Sequence, residues 1–202
     1  MGAKPAVICG RPRGFDREAA LWTALRLFWR HGYEGVSIAD LTQAMGIAPP
    51  SLYAAFGSKA GLYREVLTLY QQRPGANSMV VLHQDGPIRE RVDAMLRCSV
   101  RANTDPEFPA GCLITTGLLS CGEDHAELAG AMADLRAQRC ESTRARLQRA
   151  VDDGELPADT DVAAQARYLC AVMQGIAVQA RDGATAEELH ALVDTTIKHW
   201  PG

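Results

Sequence analysis

Apolar positions in this chain recur with the period of an α-helix. Leu21, Ala24, Leu25 and Phe28 stand at i, i+3, i+4 and i+7, one helix face. Asp16 before them is an N-cap residue and Gly32 after them a C′ residue, so the pattern predicts a first helix of about four turns. Ser37 then precedes Ile38, Leu41, Ala44 and Met45, and Gly46 stops this short second helix. Proline fits a helix's first turn, where its missing N–H has no intrahelical partner. Pro49 therefore opens a third, short helix that ends at Gly57. Ser58 caps a fourth, with Leu62, Val66 and Leu69 on one face.

A polar stretch bearing glycine and proline, 73–87, reads as a connection with a helical piece near 79–82. Helical patterns resume over 88–101 and 112–120, and a long one runs over 124–151. After a loop at 154–160, two further helices are predicted over 161–181 and 185–200. No segment alternates in the manner of a half-buried strand. The expected fold is all-α. An arm at 1–14 leads into a three-helix helix-turn-helix domain at 15–60, and a helical body fills 61–202.

Composition supports a folded protein: 202 residues, 47% hydrophobic and 22% charged. No apolar run approaches the roughly 18 residues of a membrane span. The N-terminal stretch lacks the apolar core of a signal peptide, so the expected compartment is the cytoplasm. Net charge is −3 overall, but it is unevenly placed. Residues 1–73 carry nine Lys/Arg against five Asp/Glu, and the remainder is net negative. A basic head on an acidic body points the head towards a polyanion.

Two short helices joined by a tight turn and backed by a longer one form a helix-turn-helix pattern. The second short helix is presented outward and fits a B-DNA major groove about 12 Å wide. The residues that build this pattern are specific. They run Ala24-Leu25-x-x-Phe28-x-x-x-Gly32-Tyr33, then Ser37-Ile38-x-x-Leu41, Ala44-x-Gly46-Ile47, Leu52-Tyr53-x-x-Phe56 and Ser58-Lys59-x-x-Leu62. Over 15–63, about a quarter of the chain, this resembles the TetR/AcrR family of transcriptional regulators. The resemblance implies double-stranded operator DNA as partner, a homodimer, a small-molecule effector of unknown identity, and no cofactor. One position departs from it. Ala48 stands where the family commonly carries a capping Ser or Thr, a loss of typically about 1 kcal/mol.

Roles follow for single residues. The resemblance implies that Tyr53 reaches a phosphate through its hydroxyl, while Phe56 belongs to the core. Lys59 begins the fourth helix, where its charge and the free N–H groups together favour phosphate. Ser37 and Thr42 are further phosphate donors, with ordinary explanations as a cap and a surface residue. Base reading is sparse. Pro50, Ser51, Ala54 and Ala55 face outward on the third helix, and Gln43 ends the second. Only Ser51 and Gln43 among these carry hydrogen-bonding groups, so specificity leans on apolar contacts, water and DNA shape. In the arm, Arg11 and Arg13 flank Pro12, a segment suited to a narrow minor groove.

In the body, 13 of the 18 residues over 163–180 are apolar and only Arg167 is charged, which predicts a helix buried on both sides. The last helix carries one stripe, including Leu189, Val193, Ile197 and Trp200, and the resemblance implies that these last two helices together form half of a four-helix dimer interface. An effector pocket between helices would draw on Met95, Cys98, Leu113, Thr116, Leu119, Leu135, Tyr168, Val172 and Met173, each equally a core residue. Cys112 stands apart. Gly111-Cys112-Leu113 resembles a segment of family members that respond to electrophiles or oxidants, and a helix start there would lower the thiol's pKa. Nine residues along one helix would separate Cys112 and Cys121 by about 13.5 Å along its axis.

Two alternatives stand beside a ligand-released repressor. One is a regulator of the same fold that senses electrophiles or oxidants through cysteine. The other, more distant, is a cysteine-dependent enzyme. Against an enzyme, the sequence holds no G-x-G-x-x-G, P-loop or G-x-S-x-G. Six cysteines without a C-x-x-C pair give no support to a metal site, and reduced thiols are expected.

Overall fold

A computed structural model describes residues 16–73 and 78–200. Its first four helices start and stop where their caps lie. In α1 (Arg17–His31), the Asp16 carboxylate accepts the Ala19 N–H at 3.0 Å. Helix α2 (Ile38–Met45) is closed by a capping box. The Ser37 hydroxyl accepts the Asp40 N–H and the Asp40 carboxylate accepts the Ser37 N–H, which satisfies two otherwise orphaned donors. Gly46, left-handed at φ +66°, ends it. Helix α3 (Pro49–Phe56) follows with no side-chain cap at Ala48 and proline in its first turn. In α4 (Lys59–Gln72), the Ser58 hydroxyl accepts the Gly61 N–H at 2.9 Å. A Cβ at Gly61 would collide with the Phe56 carbonyl oxygen, so this glycine lets the end of α3 lie against the start of α4.

Six more helices form the body: α5 (Ser78–Leu82), α6 (Ile88–Asn103), α7 (Leu113–Thr116), α8 (Ala126–Asp152), α9 (Val162–Arg181) and α10 (Ala186–Lys198). A 3-10 turn, Glu123–His125, precedes α8. Among the described residues there is no strand, and no helix is long and apolar enough to cross a membrane.

Two apolar clusters organise the chain. The first gathers Leu25 and Phe28 of α1, Leu41 of α2, Leu52 and Phe56 of α3, and Leu62 and Val66 of α4. It continues through Cys112, Leu113 and Ile114 to Met132 of α8 and Ala177 of α9, so the head is seated on the body. The second joins Leu96 of α6, Leu147 of α8, Leu169 and Ile176 of α9, and Leu189 and Val193 of α10.

Three sequence expectations change here. The helix expected over 112–120 ends at Thr116. Gly117 passes close to Met132 and Tyr63, where a Cβ on it would be 2.7 Å from Met132 Cε, and Leu118 adopts φ +51°. Cys112 and Cys121 therefore do not share a helix. The stripe expected at a dimer interface packs inside the subunit instead. Leu189, Val193 and Trp200 are buried in the second cluster, and Ile197 packs against it. Conversely, α9 is buried on one side only, leaving Tyr168 45% and Val178 41% exposed.

Candidate nucleic-acid interface and inner cavity

Helix α3 is held by two buried side chains and shows the rest outward. Leu52 and Phe56 sit in the first cluster, while Pro50, Ser51, Tyr53 and Ala54 are exposed, Tyr53 by 47%. Gln43, near the end of α2, is also exposed beside them. Arg17 fixes the position of this surface relative to α4. Its guanidinium bonds both carboxylate oxygens of Glu65 at 2.7 Å and lies 4.8 Å from the Phe56 ring centre.

Lys59, at the first position of α4, does not extend freely. Its ammonium sits 4.3 Å from the centre of the Tyr33 ring, a cation–π distance. Tyr33 is itself packed on Phe28, Tyr63 and His125. Burial pulls the Lys59 pKa down, against the opposing pull of Glu34 and Asp40. Sequence reasoning placed Lys59 but not its aromatic seat, although Gly32-Tyr33 belongs to the same motif.

Ser37 and Thr42 are differently placed from their expected role as phosphate donors. The Ser37 hydroxyl is exposed but donates to Asp40 at 2.6 Å within the capping box. Thr42 is only 6% exposed, and its hydroxyl donates to the Ile38 and Ala39 carbonyls at 2.9 and 3.1 Å. A hydroxyl so buried does not reach an external phosphate. Arg11 and Arg13 lie outside the described residues.

A cavity of about 50 Å³ lies in the body, walled by α4 to α9. Tyr70 of α4, Met79 of α5, Asn103 of α6, Cys112, Arg139 of α8 and Met173 of α9 line it. The Tyr70 hydroxyl donates to Cys112 Sγ at 3.2 Å, and Arg139 Nη1 stands 3.8 Å from the same sulfur. Burial works to raise the Cys112 pKa. The Arg139 charge and hydrogen bonds from Thr115 and Tyr70 outweigh it, leaving the thiol below its ordinary value. With α7 only four residues long, this lowering comes from Arg139 and the hydrogen bonds rather than from a helix start. The Asn103 side-chain amide N–H donates to the Ser99 backbone carbonyl at 2.6 Å, and the side-chain oxygen Oδ1 is buried without a partner.

Of the residues expected to line a pocket, Met173 lines this cavity, and Leu135 lines the groove that adjoins it beside Tyr70 and Arg139. Met95 and Leu113 are buried in the two clusters, and Cys98 is buried on α6. Thr116 donates to the Cys112 carbonyl at 3.0 Å, while Leu119 is 65% exposed. Tyr168 and Val172 line a shallow surface with Leu192 and Thr195 on the outer side of α9 and α10. Sequence reasoning missed Tyr70, Asn103 and Arg139. Asn103 gave one signal, as a lone amide on a helix face otherwise built of Val92, Met95, Leu96 and Val100. Among the described residues, no group of three or more His, Cys, Asp or Glu is placed to hold a metal ion.

Comparison with known proteins accounts for both parts of the chain. Residues 21–66 match the family model described as bacterial regulatory proteins, tetR family, and residues 88–196 match a tetracyclin repressor-like C-terminal domain. The chain is 34% identical over 193 residues to the HTH-type transcriptional repressor ComR of Escherichia coli K12, covering 95% of this chain and 92% of that protein. It is also 34% identical to the repressor BdcR of the same organism, over 93% of this chain and 90% of that one. Among solved structures, a cysteine-substituted form of the TetR family regulator CifR, complexed with 26-bp double-strand operator DNA, superposes with a TM-score of 0.88. It is 42% identical, over 95% of this chain and all of that one.

Proposed function

The chain belongs to the TetR family of bacterial regulatory proteins, and from that premise we propose that it is a homodimeric transcriptional repressor. It binds a two-fold symmetric operator through α3 of each subunit and leaves it when a small molecule enters the inner cavity. The observation that carries this reading is the outward edge of α3, where Pro50, Ser51, Tyr53 and Ala54 project from a helix anchored by buried Leu52 and Phe56. A rigidly seated short helix with its outer residues free suits a major groove. The repressor relatives and the operator-bound CifR support the same assignment.

In this reading, Ser51, Ala54 and Gln43 meet base edges, while Tyr53 and Lys59 meet phosphates. Arg11 and Arg13 of the arm enter the adjacent minor groove. Residues 15–60 act as the DNA-binding domain and 61–202 as the effector-binding and dimerisation domain. The outer faces of α9 and α10, with Tyr168, Val172 and Leu192, pair two subunits, and a two-fold protein matches a palindromic site. The protein works in the cytoplasm, on DNA, without a catalytic step.

A second reading concerns the effector. Cys112 sits in the cavity wall between Tyr70 and Arg139 with a lowered pKa, as a thiol that captures an electrophile would. Both readings share the same DNA-binding mode. Fluorescence anisotropy with a labelled duplex from the DNA upstream of the protein's own gene tests that mode. Binding competed by the same duplex but not by a scrambled one supports it, and equal competition by both overturns it.

A further inference from the structure

Helices α8 and α9 pack on each other, and an open groove beside their contact is lined by Ala133, Ala137 and Cys140 of α8 and by Cys170 and Ala171 of α9. Small residues let two helices approach closely, which a disulfide requires, since its Cα atoms lie about 4.4–6.8 Å apart. The Cys170 thiol has Cys140 and Thr143 as its near neighbours. Both cysteines are free, Cys140 half-buried and Cys170 buried. Arg136 and Arg167 line the groove with them.

We propose that Cys140 and Cys170 form a redox-active thiol pair that closes to a disulfide between α8 and α9 when a hydroperoxide enters this groove. Cys140 is the attacking thiol, because it is reachable from outside and burial pushes the Cys170 thiol up. The Cys140 thiolate attacks the near oxygen of the peroxide, and the O–O bond breaks. This leaves Cys140 as a sulfenic acid, and the departing oxide takes up the proton that Cys140 released. The Cys170 sulfur then attacks the Cys140 sulfur. The S–O bond breaks, and the hydroxide leaves as water with the Cys170 proton. Two thiols and one hydroperoxide become one disulfide, one alcohol (or water) and one water. The two sulfurs together lose two electrons and the peroxide gains them.

The site is separate from Cys112, but it abuts the cavity. Cys170 lines both the groove and the inner cavity, as do Arg136 and Gln174. A disulfide here fixes two helices of the cavity wall to each other.

The test is peptide mapping of the whole protein after graded hydrogen peroxide, alkylation of the remaining thiols and tryptic digestion. Cleavage at arginine places Cys140 in the peptide 140–144, Cys170 in 168–181, and Cys112 with Cys121 in 102–136. The expected product is 140–144 joined to 168–181, two hydrogens lighter than their sum. It forms at lower peroxide than oxidised 102–136 and disappears with dithiothreitol. In Cys140→Ser it is absent, and Cys170 stays alkylatable after denaturation. The unsubstituted protein decides the matter alone. If 102–136 is oxidised while 140–144 and 168–181 remain separate, or if Cys140 joins a second chain instead of Cys170, the proposal is overturned.

Discussion

The indole N–H of Trp29 donates a hydrogen bond to the carbonyl oxygen of Gly111 at 3.1 Å. This one bond ties the buried face of α1 to the residue that precedes Cys112 in the cavity wall. Gly111 is held from the other side as well, its N–H donating to the Asn103 carbonyl at 2.9 Å. Arg181, the last residue of α9, donates to the Trp29 and Arg30 carbonyls at 3.1 and 2.9 Å, near the end of α1. A change in the cavity wall thus has a short, hydrogen-bonded route to the helix that carries the DNA-binding head. An effector shifts this arrangement only as far as it binds one state better than the other.

Trp29→Phe keeps an aromatic ring in place but removes the donor and leaves the Gly111 carbonyl without its partner. The expected loss of stability is about 1–3 kcal/mol, the usual range for a buried orphaned group. Urea denaturation of both proteins measures it, and an unchanged midpoint would show that the bond contributes nothing.

The pairing of subunits gives a contrast between two substitutions on neighbouring helices. Tyr168 is exposed on α9, so Tyr168→Glu is expected to yield a folded monomer at micromolar concentration. Val193 is fully buried within the subunit, so Val193→Glu places an unpaired charge in the core and destabilises it by about 4 kcal/mol or more. Light scattering separates the two: a Tyr168→Glu protein that stays dimeric removes the outer face of α9 from the interface.

Cys112 reactivity has a predicted pH dependence. Because its folded pKa lies below that of an ordinary thiol, alkylation by iodoacetamide reaches its plateau at a lower pH than for a free cysteine. Arg139→Met removes the charge that holds the thiolate, so the inflection moves upward. Stopped-flow alkylation, read on the 102–136 peptide, follows it. An inflection unmoved by Arg139→Met would assign the lowering to Tyr70 and Thr115 alone.

How much of this was legible in the sequence depends on how local each signal is. Most bounds of α1 to α4 were legible because they are set locally: Asp16, Ser37 and Ser58 cap the starts of α1, α2 and α4, proline opens α3, and Gly32, Gly46 and Gly57 end α1, α2 and α3. The early end of α7 was not, because it comes from the approach of Met132 and Tyr63 to Gly117, contacts from distant parts of the chain. Amphipathicity in α10 showed that Leu189 and Val193 would be covered. It did not show that α6 of the same subunit, rather than a second copy, would cover them. The cavity was the least legible part. Asn103 and Arg139 belong to different helices, and neither carries a periodic signal that points to the other.

The central claim is that α3 and the start of α4 face DNA, and a salt series tests it most directly. Once footprinting defines the operator, binding of the unsubstituted protein, Lys59→Ala, Tyr53→Phe and Ser51→Ala is measured on operator and scrambled duplexes. Lys59→Ala is expected to weaken both and to lower the salt slope by about 0.9 per subunit, the value for one phosphate contact. Tyr53→Phe should cost about 1 kcal/mol of affinity with little change in slope. Ser51→Ala should instead relax preference at one position of each half-site and leave scrambled binding nearly intact. If Lys59→Ala leaves slope and affinity unchanged on both duplexes, this face does not meet the DNA backbone and the account is wrong.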